Sequence, residues 1–174
     1  MTILYHGSPN KFTQFDTKTI RTNGTSEGVG FYFTTNKDIA KNYANDGYLY
    51  TVNLDTQKSL SDNSKTINKN QLHEILIKLN KYTDYLENYG DISNGNFENV
   101  LNQAVENEYE YNNTDVEIIG SIYNTIGENP VILDILYKDF NYTHIKSTPD
   151  WGEQELYIAL NNEIIKIIEI EKIG

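Results

Sequence analysis

The apolar residues of this chain change their spacing twice, and that change limits the folds open to it. Near the start, aromatic and β-branched residues gather in short runs at 2–6, 31–34 and 48–54, which read as strands. Gly7-Ser8-Pro9-Asn10 ends the first run as a turn, and residues 10–28 read as polar loop anchored by Phe12 and Phe15. Ile39, Ala40, Tyr43 and Ala44 stand at helical spacing, which predicts a short helix over 36–45. Thr35 is its expected cap, with Asp38 bonding back to it. After a turn-rich stretch at 56–66 the period becomes helical. Leu72, Ile75, Leu76, Leu79, Tyr82 and Leu86 predict a helix over 68–88, and further helices are expected at 97–109, 114–126 and 130–139. At the end, 155–160 and 164–170 are strand-like again, and Asn161-Asn162 between them predicts a β-hairpin. Strands at both ends of a helical middle argue an α+β fold rather than a doubly wound sheet. We expect one domain over 1–174, with a helical insertion at about 60–140.

Charge narrows the functions open to such a fold. The formal net charge is −11, but it is unevenly placed: residues 1–58 carry a net +1 and residues 59–174 a net −12. The front third therefore tolerates an anionic ligand better than the rest. No cluster of Lys and Arg exists, which argues against broad binding along a nucleic-acid backbone. The acidic stretch from Glu106 to Glu117 reads as a solvated face. There is no cysteine, and His6, His73 and His144 lie far apart, so no metal site is expected. His73 and His144 read as structural or solvent-facing. No apolar run is long enough for a transmembrane helix, and the N-terminus lacks a signal pattern, so a soluble, cytoplasmic protein is expected.

Three segments carry chemistry: Leu4-Tyr5-His6-Gly7-Ser8, a strand ending in His-Gly; Gly28-Val29-Gly30-Phe31-Tyr32-Phe33-Thr34-Thr35, followed by a helix with Tyr43; and Trp151-Gly152-Glu153-Gln154-Glu155-Leu156-Tyr157. Together they resemble the ADP-ribosyltransferases of the diphtheria-toxin and poly(ADP-ribose) polymerase type, and among them the small bacterial or phage members. The site of that family is a His, a Tyr and a Glu on three separate strands. The spacing of eleven residues from Tyr32 to Tyr43 matches its polymerase-like members.

The resemblance implies two small β-sheets forming a cleft for NAD, with His6, Tyr32 and Glu155 as catalytic residues. It implies that His6, Gly7, Ser8, Tyr32, Tyr43 and Arg21 bind the dinucleotide. In the family's reaction the bond from nicotinamide to ribose breaks through an oxocarbenium-like state, and a carboxylate answers the developing positive charge. Glu155 takes that role, accepting a hydrogen bond from the ribose 2′-hydroxyl. Tyr32 and Tyr43 flank the cationic ring, the backbone of Gly7 approaches its carboxamide, and His6 bonds a ribose hydroxyl. Arg21, the chain's one arginine, is placed to reach pyrophosphate or adenine. Glu153, two residues before Glu155, shares its face in a strand and is expected to activate the acceptor.

The expected activity is mono-ADP-ribosylation of a protein, of the host or of a defence system, docked by the acidic helical region. Two rivals stand beside it. One is hydrolysis of NAD, or transfer to nucleic acid or a small molecule. The other is a non-catalytic acidic protein that mimics nucleic acid.

Overall fold

The computed structural model describes residues 2–23, 28–149 and 155–174, with side chains at all of these but 21–23. Seven strands and five α-helices lie among them. In chain order they are β1 (Thr2–Ser8), β2 (Phe31–Thr34), α1 (Lys37–Ala44), β3 (Tyr48–Leu54), β4 (Lys58–Leu60), α2 (Lys69–Leu79), α3 (Phe97–Tyr111), α4 (Asp115–Thr125), α5 (Val131–Phe140), β5 (Tyr142–Ser147), β6 (Leu156–Ala159) and β7 (Ile165–Lys172). The helical middle stands where periodicity put it. So do β1, β2, α1 and β3.

The sheet corrects the expectation of two separate small sheets. All seven strands join in one, in the order β4-β5-β6-β2-β1-β3-β7. Its central joint is nevertheless thin. Every residue of β1 pairs with β3, from Thr2–Leu54 to Ser8–Tyr48, whereas β1 and β2 are registered at Tyr5–Thr34 alone. The sheet also folds over on itself at its two sides. On a flat sheet β3 and β4 would lie five strand spacings apart, about 24 Å. The link from Leu54 to Lys58 reaches no more than about 14 Å. The halves β4-β5-β6-β2 and β1-β3-β7 must therefore curl toward each other.

Alternation along the registered strands puts Leu4, Phe31, Phe33, Tyr50, Val52 and Leu54 on one face, each at most 1% exposed. Burying each such side chain contributes about 1.5–3 kcal/mol. They form the inner layer of one core that continues into Leu72, Ile75 and Leu76 of α2 and Leu133 and Leu136 of α5.

Several local expectations are revised, each for a visible reason. α1 is capped by Asn36, not Thr35: the Asn36 Oδ1 accepts from the amides of Asp38 (3.0 Å) and Ile39 (3.2 Å). Thr35 instead extends the ladder of β2, its amide donating to the Glu155 carbonyl at 3.3 Å. The helix expected over 68–88 stops at Leu79, and a separate 3₁₀ turn follows at Tyr85–Asn88. That break delivers the Tyr85 hydroxyl to Glu108 at 2.5 Å.

The C-terminal hairpin does not form. β6 pairs with β2 and β5, while β7 crosses to β3. The Asn pair is engaged elsewhere: Asn161 caps a 3₁₀ turn through the Glu163 amide (2.8 Å) and donates to Asp134 (3.0 Å), and Asn162 donates to the Phe15 carbonyl (3.2 Å). β4 arises in a segment read as polar turn, and β5 in one for which no element was expected.

The acidic stretch is not wholly a solvated face. Glu108 and Asp115 are buried, at 3% and 0% exposure. Glu108 accepts from Tyr85, Tyr89, Asn112 and Ser121. Asp115 accepts from the amides of Ser61, Thr66 and Ile67 and from the Thr66 hydroxyl. Buried carboxylates persist only with such partners.

Candidate active site

The site is built where the β ladder parts. Continuing the Tyr5–Thr34 register by two residues would set Gly7 opposite Tyr32, and there the pairing has stopped. In its place the His6 ring reaches across the joint. Its Nδ1 lies 2.8 Å from the Tyr32 carbonyl oxygen. A carbonyl only accepts, so Nδ1 carries the proton.

Burial lowers the His6 pKa below its ordinary value, partly offset by that same bond. The ring is neutral at physiological pH, and Nε2 is left as an acceptor. Around it stand Phe15, Phe33, Phe12 and Tyr50, with ring centroids 5.2, 5.7, 6.0 and 6.0 Å away. Phe12 stacks on Tyr50 at 4.2 Å, and its amide donates to the Tyr50 hydroxyl at 2.7 Å. The polar loop after β1 is thus pinned over His6 by Phe12 and Phe15, the two residues expected to anchor it.

Gly7 has a packing reason of its own. A Cβ there would lie 1.8 Å from the Ala40 carbonyl oxygen and 2.6 Å from the Ala44 amide. α1 therefore rests directly on the backbone of β1, which only glycine permits. Ser8 ends the strand, its hydroxyl accepting from the Asn10 amide at 3.2 Å. Gly30, at φ +153°, lets β2 begin hard against β6: a Cβ would meet the Ala159 carbonyl oxygen at 2.5 Å.

The register divides the candidates into two sets. His6 and Glu155 share the inner face with Phe33 and Tyr157, while Tyr32 lies on the other face with Tyr5 and Gly7. The Tyr32 hydroxyl donates to the Gly28 carbonyl at 2.6 Å. Tyr43, on α1, is 63% exposed. The register thus brings His6 and Glu155 to one face and leaves Tyr32 on the other, joined to His6 through its backbone carbonyl. Glu155 is two strands from His6 and two residues along, a Cα separation of roughly 12 Å on a flat sheet, which the curl shortens.

The Glu155 carboxylate is half-exposed and held on both oxygens. Lys146 Nζ stands 3.0 Å from Oε1, and the Tyr157 hydroxyl donates to Oε2 at 3.4 Å. Hydrogen bonding to Glu155 raises the Lys146 pKa, and Tyr157 adds to the effect. Behind Tyr157, the His144 ring stacks at 5.8 Å and 14°, itself tied to the Thr143 hydroxyl at 2.8 Å. Burial lowers the His144 pKa, and Lys146 lowers it further.

Sequence reasoning passed over Lys146 and Tyr157 and read His144 as structural or solvent-facing; it is buried. The available signals were spacings of two, between His144 and Lys146 and between Glu155 and Tyr157, each of which puts a pair on one face of a strand. The Arg21 side chain and Glu153 lie outside the described residues. Among the described residues, no cluster of three or more His, Asp or Glu is arranged to hold a metal, and no helix is long and apolar enough to cross a membrane.

A family model described as "ADP-Ribosyltransferase in polyvalent proteins" matches residues 1–172, nearly the full length. No curated protein and no solved structure matches the chain.

Proposed function

The chain belongs to the ADP-ribosyltransferases of polyvalent proteins, and from that membership, which makes it an enzyme that transfers ADP-ribose from NAD, we propose that residues 1–174 act as one catalytic unit on a protein acceptor. The observation that carries the residue assignment is the position of His6 and Glu155 on one face, at either side of the parted ladder.

In this reading the dinucleotide enters the cleft between the two curled halves. Glu155 accepts a hydrogen bond from the 2′-hydroxyl of the nicotinamide ribose. As the glycosidic C–N bond breaks, nicotinamide leaves with the electron pair and the carboxylate stabilises the charge left on the sugar. The Nε2 of His6 accepts from a ribose hydroxyl on the adenosine side. Tyr32 and Tyr43 flank the nicotinamide ring, Gly7 and Ser8 bind its carboxamide through their backbone, and Arg21 meets the pyrophosphate. Glu153 activates the incoming acceptor group, which closes on the anomeric carbon. One ADP-ribose is transferred, to a protein of the host or of a defence system, with the chain acting in the cytoplasm.

The rival of an acidic nucleic-acid mimic is weakened by the burial of Glu108 and Asp115, which removes two charges from the face it would need. Incubation with NAD and candidate acceptors separates the remaining readings. A mass gain of one ADP-ribose unit on a protein supports the proposal. Free ADP-ribose alone identifies hydrolysis. Glu155→Gln is expected to cut either product by about 10²–10³-fold; full activity in that variant would overturn the assignment of Glu155.

A further inference from the structure

We infer that Lys146 is a positioning residue for Glu155, holding its carboxylate at the cleft in the orientation the reaction uses. The inference rests on the role proposed for Glu155 and adds a residue which that role does not require.

Four side chains form one row on the inner face of β5 and β6. Register pairs Lys146 with Tyr157 and His144 with Ala159, so His144, Lys146, Tyr157 and Glu155 all project to the same side. The small Ala159 opposite His144 leaves room for the imidazole to lie against the Tyr157 ring. That ring has Lys146 Nζ 5.6 Å from its centroid on the way to Glu155. The chain of support thus runs from Thr143 through His144 and Tyr157 to the carboxylate, with Lys146 closing it from the next strand.

Each Glu155 oxygen has its own holder, Lys146 for one and Tyr157 for the other. Two holders on different atoms fix rotation about the last side-chain bond, which one cannot. The Lys146 and Glu155 side chains are 45% and 42% exposed. Exposed pairs of this kind add little to stability, so the consequence of this one lies in where it holds the acid. Lys146 is on the side of Glu155 remote from His6, so it can hold the carboxylate without occupying the space between the two.

The test uses the full chain and three variants. Lys146→Met keeps the apolar stem and removes the charge, Lys146→Arg keeps the charge, and Glu155→Gln reports on the underlying role. Nicotinamide release from NAD is followed at varied NAD. We expect Lys146→Met to lower kcat at least fivefold with KM for NAD changed less than twofold and the melting temperature unmoved, and Lys146→Arg to recover most of the loss. An inactive Glu155→Gln beside a Lys146→Met variant at wild-type kcat would overturn the inference alone. An active Glu155→Gln would overturn both.

The pairing is also read without turnover, by NMR titration of the lysine Nζ groups. Lys146 is expected to titrate above its usual range in the wild type and to fall back in Glu155→Gln. A Lys146 that titrates alike in both is not paired, and the inference then fails.

Discussion

Two kinds of acid occupy this molecule, and they are treated in opposite ways. In the helical block, Glu108 and Asp115 are sealed from water and each meets four donors. Beside the parted ladder, Glu155 is half-exposed and has two side-chain partners, one on each oxygen, so each oxygen keeps accepting capacity. A carboxylate saturated from within the fold cannot accept anything new. One that is half-exposed and held at only two of its accepting positions can take a sugar hydroxyl besides. The contrast teaches that the informative property of an acid here is its spare accepting capacity, not its charge.

The sharpest way to break that contrast is to neutralise one acid of each kind. Glu155→Gln is expected to cut nicotinamide release by about 10²–10³-fold, the effect of removing one well-aimed electrostatic group, with the melting temperature unchanged. A loss of stability instead would put Glu155 among the structural acids.

Asp115→Ala should do the reverse. It strands three amides and a hydroxyl in the interior, at a cost of about 3 kcal/mol or more. That corresponds to roughly 10 °C in melting temperature for a domain of this size. Calorimetry is the measurement, and an unchanged transition would show that the loop at 61–67 is held by something else.

A smaller effect is expected on the outer face. Tyr43→Ala removes an exposed ring, so stability should hold. The loss of one flanking contact, worth about 0.5–2 kcal/mol, should raise KM for NAD by a few-fold to some thirtyfold. An unaltered KM would remove Tyr43 from the proposed ring site.

The smallest effect is pH-dependent. His6 and His144 are both held below their usual 6.5 by burial. The unfolded chain therefore takes up protons first as the pH falls, and stability is lost below about 6.5. The melting temperature should be level from pH 8 to 7 and decline toward 5, less steeply in His144→Gln. A decline that leaves that variant unaffected would assign the slope to other groups.

What could be read from the sequence was local. The runs at 31–34 and 48–54, and the spacing of Leu72, Ile75, Leu76 and Leu79, are decided by neighbours along the chain, and their elements formed as expected. The order of strands was not readable, because it depends on contacts between distant residues. Asn161-Asn162 suits a tight turn in isolation, but its side chains find better partners in Asp134 and the Phe15 carbonyl. His6, Gly7, Tyr32 and Glu155 could be singled out as candidates because each sits in a short motif. Lys146 was not singled out because only the pairing of β5 with β6 brings it beside Tyr157 and Glu155. The buried His144 was ambiguous for the same reason: its polarity suggested solvent until Thr143 and Tyr157 were seen to enclose it.

The short link between β3 and β4 carries a mechanical consequence. The halves are stitched along the spine at Tyr5–Thr34, and again at the fore-edge, where residues 55–57 cross and the Gln57 amide donates to the Thr143 hydroxyl of β5 at 2.9 Å. A book bound on both edges does not open by swinging its covers. Nor is there a loose page at the top, since the loop over His6 is clasped by the Phe12–Tyr50 stack and by Asn162 on the Phe15 carbonyl.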